Sequence, residues 1–193
     1  MQTDMRELSL NVMDIVQNSV RAQATLIEII ITEDKKADSL VIIIKDNGRG
    51  MTQEQIKHVI DPFFTTRTTR KVGLGVPLFQ MAAQQTGGSL SIESQVGAGT
   101  TVTARFVPSH VDMTPLGDIN STVSLLIRCN PDIDFCFVHS VDGRELTLDT
   151  RQLHEILGDV PLDSQDVMEW IDGFLSEQTE IIYGGASPDE VIG

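Results

Sequence analysis

The sequence predicts an α/β sandwich in which helices cover one face of a β-sheet. Helix-like and strand-like segments follow one another in the first half in the order helix, strand pair, helix, loop, helix, strand pair, as in a layered fold. The strand-like segments are rich in β-branched residues, and the helix-like segments carry apolar residues at helical spacing. With 193 residues, 40% hydrophobic and 22% charged, the chain has a globular composition and can bury a core.

The first helix is predicted over residues 6–22, followed by strands over 26–32 and 39–45. The apolar face of this helix consists of Leu8, Val12, Ile15 and Val16. Its opposite side, at about 100° per residue, collects Glu7, Asn11, Asp14, Asn18 and Arg21. Most of these side chains are short, and amides are frequent among them, unlike the Lys and Glu of an ordinary solvated face. This side of the helix is therefore a first indication of a site.

The second helix is predicted to begin after Thr52, because Gln55 completes a capping box, and to end at Pro62. The segments that follow are a loop over 65–71, a third helix from Gly75 to the glycine pair at 87–88, and strands over 89–94 and 100–107. A proline in the first turn and glycines after the last turn are typical of helix termini. These elements complete the predicted sandwich.

After Pro115 the pattern restarts as a smaller α+β unit. Strands are predicted over 121–129, 135–139 and 145–148, with a hairpin turn before the last one, and helices over 150–157 and 164–175. The sequence thus predicts two units, residues 1–110 and residues 116–185, and leaves the role of the second one open.

Charge is distributed unevenly between the two units. Residues 112–193 hold 17 acidic and 3 basic side chains, whereas residues 1–111 hold 11 of each sign, so the second region carries the whole net charge of −14. An acidic surface repels nucleic acid phosphates, and binding of DNA or RNA is therefore not expected. The acidity fits either a docking surface for a protein or a means of solubility alone.

The chain is expected to be a soluble, cytoplasmic protein without a membrane partner. Its longest apolar runs, 26–31 and 40–44, are too short to span a bilayer, and acidic residues stand where a signal peptide would need cations. The only cysteines, Cys129 and Cys136, lie in separate stretches. Neither a disulfide framework nor a zinc site is therefore expected.

Residues 46–51, Asp-Asn-Gly-Arg-Gly-Met, are the sharpest motif of the chain. Asp46 at a strand end can accept a hydrogen bond from an exocyclic amine. Gly48 and Gly50 would let the backbone approach a flat ring closely. Taken alone, this spacing of Asp and Gly is also that of a common turn.

A second glycine pair, Gly73 and Gly75, precedes a helix and follows a loop that carries Arg67, Arg70 and Lys71. Backbone N–H groups at a helix N-terminus, with cations nearby, suit a polyphosphate. The P-loop pattern G-x-x-x-x-G-K-[ST] does not occur in the chain. Without other signals, these cations would be an ordinary solvated loop.

Asp14 and Asn18 are four residues apart and therefore project from the same face of the first helix. An amide oxygen of Asn18 could bind Mg²⁺, which prefers oxygen ligands. The Asp14 carboxylate could orient or deprotonate a water molecule or hydroxyl beside a γ-phosphate. A plain exposed pair is the alternative.

Taken together, five ordered motifs resemble the GHKL ATPase superfamily, which includes sensor histidine kinases, gyrase, mismatch-repair and chaperone ATPases, and anti-sigma-factor kinases. They are D-I-V-Q-N at 14–18, D-N-G-R-G-M at 46–51, D-P-F-F-T-T at 61–66, G-L-G at 73–75 and G-A-G-T-T at 97–101. The resemblance is closest to histidine kinases and covers about residues 5–107. It implies the Bergerat-type ATP-binding fold, a mixed sheet with helices on one face.

The resemblance also implies a binding site for ATP and Mg²⁺. Asn18 would bind the metal, Asp46 would accept from the adenine amine, and Asp14 would be catalytic. The residues expected around the nucleotide are Asn18, Asp46, Gly48, Gly50, Met51, Phe63, Thr65, Arg70, Lys71, Gly73, Gly75, and Thr101 or Thr100. Asp14 stands where hydrolytic members usually carry Glu, so its shorter reach predicts slow hydrolysis.

Three functions follow as hypotheses. No phosphoacceptor helix precedes the first motif, and His154 lacks the sequence context of an acceptor, so the first hypothesis is a kinase that phosphorylates a separate protein. The second is a regulatory module whose ATP occupancy changes how the acidic unit docks on a partner. The third is a weak ATPase. A homodimer is left open.

Overall fold

The computed structural model describes residues 6–61, 63 and 74–184. The helices are α1 (Leu8–Arg21), α2 (Gln53–Ile60), α3 (Gly75–Gln85), α4 (Ile119–Cys129), α5 (Thr150–Leu157) and α6 (Gln165–Ile182). The strands are β1 (Leu26–Asp34), β2 (Ser39–Asp46), β3 (Ser89–Gln95), β4 (Gly99–Phe106), β5 (Asp134–Val141) and β6 (Arg144–Asp149).

All six strands form one mixed sheet in the order β3-β4-β2-β1-β5-β6. Neighbouring strands are antiparallel, except that β1 and β5 run parallel. Along β1, every second side chain is fully buried, namely Ile27, Ile29 and Ile31, whereas the residues between them are partly exposed. The period of two places these isoleucines on one face of the sheet, and that face packs against the helices.

Helix α1 lies at the centre of the helical layer and contacts both α3 and α4. Its apolar side chains at helical spacing, Leu8, Val12, Ile15 and Val16, are all buried. Helix α3 packs through Phe79 against Phe106 of β4, with ring centroids 5.8 Å apart. Full burial of one such side chain contributes roughly 1.5–3 kcal/mol. The hydrophobic core therefore lies between the sheet and α1.

Helix α2 begins with the predicted capping box. The Thr52 hydroxyl accepts from the Gln55 N–H at 3.2 Å, and the Gln55 side chain accepts from the Thr52 N–H at 2.9 Å. These bonds satisfy two of the backbone donors that a helix N-terminus leaves unpaired.

The strand predicted over 121–129 is wrong, because this segment is the helix α4. Its β-branched residues favoured a strand, but Val123, Leu126 and Ile127 have the three- and four-residue spacing of a buried helix face. The carboxylate of Asp118 also caps the helix, accepting from the Ser121 N–H at 3.0 Å. Tertiary burial of this face outweighs strand propensity.

The acidic C-terminal region shares the sheet of the first region, since β5 pairs with β1 along its whole length. The start of α1 is also bonded to the segment before α4, where Pro115 and Leu116 accept from the Leu8 and Ser9 N–H groups, both at 2.9 Å. The division into two units, 1–110 and 116–185, therefore stays a prediction from the sequence. In the fold, the sheet crosses this boundary without interruption.

Candidate functional site

A cavity of about 270 Å³ lies between α1, the loop after β2 and strands β3 and β4, just below the range of roughly 300–1,000 Å³ typical for ligand pockets. Its lining consists of Ile15, Asn18, Ser19, Arg21, Ala22, Ile44, Asp46, Arg49, Gly50, Met51, Val59, Val76, Ile92, Thr100 and Val102. Most of these side chains are apolar, and the polar ones come mainly from α1 and the end of β2. Such a composition suits a flat apolar ligand with a few polar groups.

Asp46, the last residue of β2, is the buried carboxylate of this cavity, with 8% of its surface exposed. One of its oxygens accepts from the Ser19 hydroxyl at 2.6 Å, and the other accepts from the Gly48 N–H at 2.8 Å. Burial of a charge is costly unless hydrogen bonds compensate it. These two bonds also fix the orientation of the carboxylate and leave it lone pairs for a further donor.

The two glycines after Asp46 pack against neighbouring backbone. Gly50 has a φ of +71°, and a Cβ there would lie 2.0 Å from the Gln95 carbonyl oxygen. A Cβ on Gly48 would lie 2.8 Å from the Ala22 carbonyl oxygen. Only glycine allows both approaches. Contact of these glycines with a ligand ring stays a prediction, and the structure shows that their freedom also lets the loop pack on β3 and the end of α1.

A short hydroxyl network holds the same loop in register with the sheet. The Met51 N–H donates to the Ser94 hydroxyl at 2.8 Å, and that hydroxyl lies 2.7 Å from the Thr100 hydroxyl. Thr100 pairs with Asp46 across β2 and β4 and lines the cavity. Thr101 is the next residue and therefore lies on the opposite face of the sheet. Of the two alternatives, Thr100 is the one at the cavity.

Asn18 lines the cavity from α1, and its side chain is hydrogen-bonded to Arg21, which lies about one helical turn further along. Its amide oxygen accepts from the Arg21 guanidinium at 2.8 Å, and the Arg21 carbonyl accepts from Arg49 at 2.6 Å. Both arginines line the cavity. This wall of the site therefore carries positive charge, which favours an anionic group there.

Asp14 lies one turn before Asn18 and does not line the cavity. Gly75, the first residue of α3, lies against it, since a Cβ on that glycine would be 3.3 Å from the Asp14 Cβ. Partial burial raises the pKa of Asp14 above its usual value, and the positive charge of Arg21 offsets part of this rise. A carboxylate with a raised pKa is a better proton acceptor than an ordinary aspartate.

The donor set fits a magnesium ion that is shared with a ligand. Within the described residues, no group of three or more His, Cys, Asp or Glu side chains could hold a metal by itself. Mg²⁺ commonly uses one or two protein oxygens and completes its shell with phosphates and water. The Asn18 amide oxygen, beside the cavity, matches this requirement.

Five of the predicted ligand-binding residues line the cavity together, namely Asn18, Asp46, Gly50, Met51 and Thr100. The Gly48 N–H donates to the Asp46 carboxylate, and Gly75 lies against the Asp14 side chain. Phe63 is 92% exposed and is absent from the lining. Thr65, Arg70, Lys71 and Gly73 lie outside the described residues.

Sequence reasoning did not assign Ser19, Arg49 and Ser94 to the site. Ser19 follows Asn18 directly and points to the sheet, a position that helical periodicity alone makes part of the core. Arg49 lies inside the 46–51 motif, so its position in the sequence was sufficient to predict that it lies at the site. Ser94 carried no signal, because its role depends on the pairing of β3 with β4.

Among the described residues, none of the helices combines the length and apolar composition that crossing a bilayer requires.

The first part of the chain is similar to known proteins. Residues 3–110 match the family model described as histidine kinase-, DNA gyrase B-, and HSP90-like ATPase. Sporulation kinase C of Bacillus subtilis is 33% identical over 97 residues, covering 50% of this chain and 22% of that protein. Sensor protein SrrB of Staphylococcus aureus is 33% identical over 103 residues, covering 51% and 18%. The chain thus spans about a fifth of the length of these curated relatives.

The fold also resembles the crystal structure of the N-terminal domain of a DNA repair protein. The TM-score is 0.52 at 17% identity, and the match covers 74% of this chain and 52% of the other. This share of the chain exceeds that of residues 3–110, so the structural likeness extends into the C-terminal region. The family model matches more than half of the chain and includes the whole cavity. The chain belongs to the histidine kinase-, DNA gyrase B-, and HSP90-like ATPases.

Proposed function

We propose that this chain binds ATP with Mg²⁺ in the cavity beneath α1 and transfers the γ-phosphoryl group to a separate protein. The observation that carries the proposal is the buried Asp46 carboxylate, held by Ser19 and the Gly48 N–H at the base of an apolar cavity. An exocyclic amine is the donor that such a fixed acceptor would select, and the apolar walls would enclose a purine ring.

The triphosphate would lie along the wall formed by α1. Mg²⁺ held by Asn18 would neutralise phosphate charge. A metal at the Asn18 oxygen would displace the Arg21 guanidinium, which now donates to that oxygen, and Arg21 would then face the phosphates. Positive groups that are in place before the reaction stabilise the charge that develops on a transferred phosphoryl group.

Asp14 would act as the proton acceptor of the transfer. It lies on the same face of α1 as Asn18, one turn away, and its pKa is raised mainly by burial. In the transfer, the acceptor oxygen or nitrogen of the partner bonds to the γ-phosphorus, the bond to the β-phosphate oxygen breaks, and the acceptor proton moves to Asp14. The products are ADP and a phosphorylated protein.

The kinase function is favoured by the relatives, since one of them is named as a kinase and another as a sensor protein. His139, whose side chain is only 1% exposed, is too buried to act as an internal acceptor. We place the protein in the cytoplasm, with ATP and a protein acceptor as its partners.

Calorimetric titration with ATP, with and without Mg²⁺, tests nucleotide binding. Asp46→Asn replaces the charged acceptor, and a hydrogen bond to a charged group contributes about 1.5–3 kcal/mol, so affinity should fall roughly 10- to 100-fold. Asn18→Ala should weaken binding only when Mg²⁺ is present. Asp112→Asn, at an exposed turn, is the matched control. Unchanged affinity in Asp46→Asn and Asn18→Ala would refute the assignment.

Phosphoryl transfer is tested separately with γ-labelled ATP and candidate partner proteins. Label should appear in a partner and disappear with Asp14→Asn, while the affinity for ATP stays within about threefold of the wild type. Release of labelled phosphate without labelled protein would instead identify a weak ATPase.

A regulatory module is the second candidate, and the contact between α1 and α4 favours it. The start of α1 is bonded to residues 115–118 of the C-terminal region, where the Asp118 N–H donates to Glu7 at 3.1 Å. A change in α1 on nucleotide binding would thus reach the acidic region directly. Partner binding that is equal with ATP, ADP and no nucleotide would exclude this function.

A further inference from the structure

Helix α6 carries an apolar stripe that the rest of the described chain leaves exposed. Trp170 and Ile181 are 52% and 56% exposed, and Phe174 between them is partly buried. The rings of Trp170 and Phe174 stack with centroids 5.2 Å apart and planes 13° from parallel. Spacings of four and seven residues align the three side chains on one face over about three turns. We call these three residues the α6 stripe.

The α6 stripe faces away from the nearest helix of the protein. Helix α4 is bonded to α6 through Asp172, which accepts from Ser124, and through Thr179, which accepts from Asn120 at 2.8 Å. At 100° per residue, Asp172 and Thr179 lie about 180–200° around the helix from Trp170. The buried face of α6 lies between these two sides. Phe174 packs partly against the core at the edge of that face, whereas about half of the Trp170 and Ile181 side chains stays exposed.

A glycine lies beside the stripe in the middle of α6, where glycine is unfavourable. Gly173 costs the helix about 1 kcal/mol relative to alanine. A Cβ at this position would meet no atom within 4 Å, so no contact within the described fold requires glycine. Its angular position is about 60° from Trp170. The missing side chain leaves a notch next to the indole through which another backbone could approach closely.

On α6 itself, the only charged side chains that flank the stripe are acidic, and Arg144 of β6 donates to the Ile182 carbonyl at the C-terminal end of the helix at 2.6 Å. Helix α6 has no basic residue, and its acidic residues are Asp166, Glu169, Asp172, Glu177 and Glu180. Viewed down the helix axis, four of them lie within about 100° of Trp170, on the same side as Gly173. They are Asp166, Glu169, Glu177 and Glu180. Charge of one sign around an apolar strip selects a partner of the opposite sign and repels others.

We propose that the α6 stripe is a docking surface for a basic amphipathic helix of a partner protein. The apolar face of that helix would cover Trp170, Phe174 and Ile181, and its Lys or Arg side chains would pair with the flanking carboxylates. Trp and a stacked aromatic neighbour are typical anchors of such contacts. This proposal does not depend on the ATP site, because it involves no residue of the cavity.

Charge argues against two other occupants. A second copy of the chain would bring one acidic α6 face against another, and like charges in contact cost binding energy. Residues 185–193 of this chain carry Asp189 and Glu190 and no basic residue, so they would be repelled in the same way. A basic helix alone satisfies both the apolar and the acidic features.

The full-length chain is tested with a synthetic 18-residue helical peptide of Leu at the i, i+3, i+4 and i+7 positions and Lys elsewhere. Trp170 is the only tryptophan, so its fluorescence reports directly on the stripe. Binding should shift its emission to shorter wavelength in a saturable way, because the indole leaves water. Peptides with Glu for Lys, or with Ser for Leu, should bind at least about tenfold more weakly.

Three variants locate the site by anisotropy of the labelled peptide. Gly173→Gln, which fills the notch, and the double variant Glu177→Lys/Glu180→Lys should each weaken binding at least about fivefold without lowering the melting temperature. Glu155→Lys, on the exposed side of α5, is the control for net charge and should change affinity less than about twofold.

Four results would overturn the proposal. They are unchanged Trp170 emission, equal binding of the Ser-substituted peptide, an effect of Glu155→Lys as large as that of the α6 variants, and a dimer in solution that buries Trp170. The last result would assign the stripe to a second copy of the chain.

Discussion

The two halves of the single sheet place their polar and apolar groups in opposite ways. Around β2 and β4, carboxylate, amide and hydroxyl groups point inward to a cavity with apolar walls, and the charges of residues 1–111 balance. Around β5 and β6, the helix-covered face of the sheet is part of the packed core, and the exposed surface combines acidic residues with the α6 stripe. The first arrangement suits a small ligand and the second a protein.

Under the two proposals, one continuous sheet would serve two kinds of recognition. Helix α1 connects the two halves. Its first residues are hydrogen-bonded to the segment before α4, and its second half carries Asn18, which lines the cavity.

Gly50→Ala should destabilise the protein more than any other change considered. The new Cβ would lie 2.0 Å from the Gln95 carbonyl oxygen, in addition to the cost of φ at +71°, and we expect a loss of more than about 3 kcal/mol in urea unfolding together with loss of ATP binding. Gly97→Ala is the matched control, because φ is +82° but no atom lies within 4 Å. It should cost about 1 kcal/mol. Equal costs for the two variants would show that the loop is not packed as described.

Tyr183→Phe should lower the stability of the protein, because it removes a hydrogen bond between the C-terminal region and β1. The Tyr183 hydroxyl donates to Glu33 of β1 at 2.5 Å, and the same carboxylate oxygen lies 2.7 Å from the His139 Nε2. Loss of a hydrogen bond to a charged group should cost about 1.5–3 kcal/mol at neutral pH. Burial, and then the Glu33 charge, raise the pKa of Tyr183.

The raised pKa of Tyr183 determines the pH dependence of this contribution. The folded protein keeps the phenol proton at pH values where the unfolded chain, with a pKa of about 10, loses it. The contribution is therefore complete below about pH 10 and is lost as the pH rises further toward the folded value. Tyr183 is the only tyrosine, so tyrosinate absorbance follows it directly. The wild type should lose stability above pH ~10 more steeply than Tyr183→Phe, and parallel curves would contradict this assignment.

Ser19→Ala should have the smallest effect, confined to nucleotide affinity. The variant removes the 2.6 Å bond that orients Asp46, which should weaken ATP binding by about 0.5–1.5 kcal/mol, or roughly 2- to 12-fold. Ser9→Ala, also on α1 and also buried, removes a bond to Glu7 far from the cavity. It should leave ATP affinity unchanged in calorimetry. A similar loss in both variants would indicate a general effect on α1.

Much of the fold could be predicted from the sequence because local signals agreed with it. The capping box at Thr52 and Gln55 marked the start of α2, and the helix predicted over 150–157 has the bounds of α5. The segment 121–129 was assigned the wrong structure, since β-branched residues favour strands when local propensity alone is considered. The end of α6 was predicted too early, at 175, because it continues to Ile182 through contacts with β6.

The family could be predicted from the sequence alone, since motifs such as residues 14–18 and 46–51 are recognised by side-chain type and by spacing along short segments. Only the tertiary structure decided that Thr100, not Thr101, faces the cavity, that Ser19 holds Asp46, and that β5 extends the sheet beside β1. Each of these depends on which strands pair and in which register. Pairing is determined by burial over the whole sheet, and a shift of one residue would turn every side chain to the other face.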